Sequence, residues 1–93
     1  MTAEAWAATC AAIEAHDQHT RGILVLGLGK SEETLAASFA TARAHPLVKG
    51  FAVGRTIFAE AAKGWFAGTI TDDAAIAQMA ERYARLSNIW DET

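Results

Sequence analysis

Two apolar runs that end on glycine constrain this chain more than anything else in it: Gly22-Ile-Leu-Val-Leu-Gly-Leu-Gly29 and Leu47-Val-Lys-Gly-Phe-Ala-Val-Gly-Arg-Thr-Ile-Phe58. Each has the length of a strand and is bounded by turn or helix-start residues. The helical pattern between them is long enough to cross back over a sheet, which is the connection two neighbouring parallel strands require. Ile23 to Leu26 are apolar at every position rather than alternating, so both faces of this strand are expected to be covered. The glycine-rich ends, Gly27 to Gly29 and Gly54-Arg55, then emerge on one edge of the sheet, where strand-to-helix loops hold ligands in α/β proteins. An anion is the expected ligand there.

The remaining segments read as helices. Trp6, Cys10 and Ile13 fall on one stripe of a first helix over about residues 3–17. Ser31 is placed to cap a second, with Glu32 and Glu33 against the positive end of its dipole. Leu35, Phe39 and Ala42 give its buried stripe, and Pro46 stops it after about Ala44. A third helix is expected over 56–67, with Ile57, Phe58, Ala61, Ala62, Trp65 and Phe66 inward and Gly68 as its stop. Thr71 with Asp72 and Asp73 opens a fourth, whose stripe is Ile76, Met79, Ala80, Tyr83, Leu86 and Trp90. The order α-β-α-β-α-α defines one α/β unit over residues 1–93. Two parallel strands leave both outer edges without partners and cannot enclose a core alone. Either copies associate, or the chain is a piece of a larger parallel-sheet domain such as a (β/α)8 barrel.

Composition removes several functional classes. With 93 residues the chain is one domain at most, burying about 60–65% of its unfolded surface, so its margin of stability is thin. It is 52% hydrophobic and only 20% charged, which is globular rather than disordered. A formal net charge of -3 and the absence of any Lys/Arg cluster argue against nucleic acid. No apolar run approaches the roughly 20 residues of a membrane span, and Met1-Thr-Ala-Glu4 lacks a signal-peptide start, so a cytoplasmic location is expected. Cys10 stands alone, which precludes an intrachain disulfide or a thiolate cluster for zinc.

The segment Gly22 to Trp90 resembles the C-terminal end of the aldolase-like (β/α)8 (TIM) barrel domain that follows the sugar kinase in bacterial 5-dehydro-2-deoxygluconokinases of myo-inositol catabolism. Its most distinctive stretches are His45-Pro-Leu-Val-Lys-Gly-Phe-Ala-Val-Gly-Arg-Thr-Ile-Phe58 and Met79-Ala-Glu-Arg-Tyr-Ala-Arg-Leu86. It is similar to class I tagatose-bisphosphate-type aldolases, whose final strand also ends in a Gly-Arg pair. The resemblance implies a partial barrel, in which the chain supplies strands 7 and 8 with their helices, about a third of the whole. It implies phosphorylated sugar or keto-acid as ligand, and the rest of a barrel or further copies as partner. Nothing here matches the Gly-Ala-Gly-Asp motif of the kinase half, and the imine-forming lysine of such aldolases stands on an earlier strand. No catalytic residue is therefore assigned, the isolated chain is expected to be inactive, and no cofactor is called for.

Arg55 is the leading candidate for a phosphate contact, because it follows a glycine at a strand end and precedes a helix. A phosphate there would meet free N–H groups near Thr56 and Ile57 together with a bidentate guanidinium. The plainer alternative is an ion pair with a carboxylate such as Glu60. Gly27, Gly29 and Gly54 either admit the same anion to the backbone or merely permit the turns. Lys30 and Lys49 read as solvated surface lysines, since neither sits in an obviously apolar pocket that would make it nucleophilic. His16, Asp17 and His19 lack a third strong ligand nearby, so no metal is expected. Trp6, Trp65, Phe66, Tyr83 and Trp90 are expected in the core, and Asp72, Asp73, Glu32 and Glu33 mark helix starts rather than a catalytic pair.

Overall fold

The computed structural model describes all residues from Met1 to Thr93. Helix α1 (Ala3–His16) is followed by strand β1 (Ile23–Leu26), helix α2 (Glu32–Ala42), strand β2 (Val48–Ala52), helix α3 (Arg55–Phe66) and helix α4 (Asp72–Glu92). The chain is mixed α/β in the expected order, and β1 and β2 pair in parallel through the α2 crossover. Thr2, Ser31 and Thr71 start α1, α2 and α4: each side-chain hydroxyl accepts the N–H three residues on. No helix is long and apolar enough to cross a membrane.

Pairing joins Ile23 to Val48, then Leu24 to Gly50, Val25 to Phe51 and Leu26 to Ala52, so Lys49 is an extra residue in β2. Its stem crosses Gly22, where an added Cβ would lie 2.3 Å from Lys49 Cγ and φ is +145°. A side chain at Gly22 would suffer both a strained backbone and a displaced neighbour.

Beyond the bulge, Val25, Phe51 and Val53 turn toward the helices. The core joins Trp6 and Cys10 of α1, Leu35, Phe39 and Ala42 of α2, Leu86 of α4, and Val25 and Val48 of the sheet. Phe39 is fully buried; its ring stacks on Phe51 at 4.9 Å and meets Trp90 edge-on at 5.2 Å. Arg43 closes this cluster, its guanidinium 5.0 Å from the Trp90 ring centroid and its Nη1 donating to the Trp90 carbonyl. The opposite face carries Leu24, Leu26, Gly50 and Ala52, and Leu24 and Leu26 are 55% and 60% exposed. Two-sided cover is thus corrected: the core lies on one side of the sheet. An all-apolar run reports what its side chains require, not that these 93 residues supply it.

α3 packs chiefly on α4, and apart from Leu86, which lies in the main core, Ala61 and Ala75 are the buried residues of this hairpin. Phe58, Trp65, Phe66, Ile76 and Tyr83, expected to face inward, are 44–80% exposed. Helical spacing reveals a stripe, but a single neighbouring helix covers only part of it. The hairpin lengthens the molecule: its radius of gyration is 16.0 Å with a longest extent of 51 Å, against about 12 Å for a compact chain of this size.

Candidate functional site

The two strand ends meet at one corner. After β1, the Lys30 N–H donates to the Gly27 carbonyl at 3.1 Å, closing a turn whose central residues, Leu28 and Gly29, have φ of +53° and +74°. Two positive φ values in succession mark a type I′-like turn, and leucine adopts that geometry at a cost of about 1 kcal/mol. Gly27 is buried against Val53, whose two methyls lie 3.0 Å from where its Cβ would stand. After β2, Gly54 caps α3 without a side-chain hydrogen bond, and Arg55 is the first helical residue. The Thr56 hydroxyl donates to the Lys30 carbonyl at 2.5 Å and ties the two loops together.

Arg55 reaches across this tie. A Cβ at Gly29 would lie 3.1 Å from its guanidinium carbon, so the absence of a side chain there gives the guanidinium its place. The alternative, a Glu60 pair, does not form: both ion pairs of the chain belong to Arg85, with Glu32 and Glu81. The Ile57 N–H is not free either, since it donates to the Gly54 carbonyl at 2.8 Å. The open donors are instead the N–H groups of Arg55 and Thr56, which meet no acceptor in the chain. A cation at the positive end of a helix dipole is unfavourable by itself, and α3, unlike the other helices, carries no acid in its first turn. Gly29, Gly54 and Arg55 therefore share one exposed corner with open N–H donors, a chemistry suited to an oxyanion contact, whereas Gly27, expected to admit the anion, is buried under Val53 and offers it no surface.

Sequence reasoning missed the Thr56 bond to Lys30 and the left-handed Leu28. A leucine between two glycines hinted at the second; nothing local signalled the first, which spans 26 positions. The side chain of Lys30 is exposed beside the corner, while Lys49 is exposed on the bulge at the other end of the strands. Asp17 accepts the His19 N–H at 2.9 Å in a local turn, and no group of three potential metal ligands forms. Trp6 is in the core and Trp90 packs against it; Trp65 is partly exposed, with its indole N–H held by Asp72 at 2.6 Å. Arg85 joins α2 to α4, and its hydrogen bond to Glu32 holds its guanidinium above the usual pKa range. An open apolar groove of about 520 Å³ runs between α3 and α4, lined by Phe58, Ala62, Trp65, Phe66, Ile76 and Met79 among others.

No curated protein and no solved structure matches the chain. A family model does, over residues 1–93, and the chain belongs to the family it describes: "Uncharacterized protein conserved in bacteria (DUF2090)".

Proposed function

We propose that the chain supplies the phosphate-binding corner of a sugar-phosphate aldolase-like barrel, with β1 and β2 as its last two strands. The observation that carries this reading is the Arg55 guanidinium, without a carboxylate partner, lying against Gly29 at the open N-terminus of α3. The one-sided core supports it, since a barrel carries its helices as an outer ring whereas a doubly wound sheet is clad on both faces. The resemblance to the kinase/aldolase protein of inositol catabolism supplies the ligand class, a phosphorylated sugar or keto-acid. In this reading the corner holds the phosphate, and a lysine on another strand forms the imine that allows carbon–carbon cleavage. A hydrogen bond to a charged group contributes roughly 1.5–3 kcal/mol, so Arg55→Ala should weaken binding of inorganic phosphate or a hexose phosphate at least about tenfold. Calorimetry on the parent chain and the variant tests it. Equal affinities, or no binding by the parent, would remove the assignment.

A second reading, a non-enzymatic α/β module that self-associates, is favoured by the apolar side chains left open on the sheet and on the α3–α4 hairpin.

A further inference from the structure

We infer that the uncovered face of the β1–β2 sheet is self-complementary and pairs with the same face of a second copy of this chain. The inference rests on the self-association reading and is an alternative to the barrel, in which this face would line the interior. Its basis is a step in the surface. On that face β1 presents Leu24 and Leu26, while the residues paired beside them on β2 are Gly50 and Ala52. Leu24 leans toward the smaller strand, its Cδ2 3.5 Å from where a Gly50 Cβ would stand, so the step is most open at Leu26 and the exposed Ala52. The face is thus a ridge next to a trough, each two side chains long.

A twofold axis parallel to the strands, midway between two facing sheets, sets β1 of one copy over β2 of the other. Because Leu24 is level with Gly50 and Leu26 with Ala52, each ridge then enters the opposite trough at the usual sheet separation of about 10 Å. An axis across the strands would set ridge on ridge and leave the troughs empty. The exposed parts of Leu24, Leu26 and the adjoining Leu28 amount to about 100 Å² each. With Gly50, Ala52, Met1 and the surrounding backbone, two copies bury on the order of 1,000 Å², the lower limit for a specific interface, so the dimer is weak and concentration-dependent. The groove between α3 and α4, with Ala62 among Phe58, Trp65, Phe66 and Met79, is the competing apolar surface, and a variant at Phe66 distinguishes the two.

Sedimentation equilibrium of the 93-residue chain should give a mass above the 9.9 kDa monomer at about 100 μM, rising toward twice that value with concentration. Leu26→Lys and Ala52→Glu both alter exposed positions, so circular dichroism should remain that of the parent. Each variant alone should be monomeric at that concentration, and mixing the two should restore a dimer, because one Lys then meets one Glu across the axis. A monomeric parent would overturn both the inference and the self-association reading. A dimer that survives either variant, or that Phe66→Asp disrupts while Leu26→Lys does not, would overturn this surface alone. Failure of the mixed variants to dimerise would overturn the twofold pairing.

Discussion

Gly29 is where backbone strain and the proposed ligand chemistry bear on one residue. Its φ of +74° disfavours any side chain, and the space a Cβ would take is filled by the Arg55 guanidinium. Gly29→Ala should therefore lower stability by about 1 kcal/mol and displace Arg55, weakening phosphate binding alongside the fold. Leu28 tests the turn without the ligand. It is 69% exposed and left-handed, so Leu28→Gly should relieve strain with little loss of packing and raise the melting temperature by a few degrees. Thermal unfolding followed by circular dichroism reads both effects, and a lower melting temperature for Leu28→Gly would show that the turn is not strained. Much of this corner was legible in sequence, because glycine at a strand end and arginine at a helix start are local signals. The pairing of Thr56 with Lys30 was not, since it depends on how two loops meet after the sheet forms.

Among the elements, two of the contacts that hold α4 differ greatly in weight. Its C-terminal half enters the core through Leu86 and Trp90, while Arg85 bridges to Glu32 of α2 from solvent. Phe39→Ala would open a cavity under Phe51 and Trp90 and should cost about 3–5 kcal/mol, enough to unfold a domain of this size. Arg85→Gln should leave the melting temperature within about 2 °C, because an exposed pair is screened and entropically offset. Denaturant titration of both variants checks the ranking, and a large loss for Arg85→Gln would reverse it. Helix starts were readable because Ser31 and Thr71 announce themselves by side-chain chemistry. The fate of the helix stripes was not readable: the spacing of Phe58, Trp65 and Phe66 demands a cover, and only tertiary structure reveals that α4 provides so little of one.

At the scale of the molecule, stability is distributed unevenly along its 51 Å length. The sheet, α1, α2 and the end of α4 share one core, whereas the α3–α4 hairpin buries only Ala61 and Ala75 within its own length. Amide hydrogen exchange should therefore be fast over 58–80 and slow over 23–26, 35–42 and 86–90, with the hairpin opening independently of the core. Uniform protection across the chain would contradict that division. One irregularity, the bulge at Lys49, sets the whole arrangement. Were Lys49 paired with Leu24 instead of being bulged out, Gly50 would fall beside Val25 and Phe51 beside Leu26, placing the aromatic ring outside and the glycine against the helices. The bulge thus behaves as a skipped letter in a reading frame: many side chains could occupy the position, but pairing it like its neighbours would misread every residue of β2 that follows.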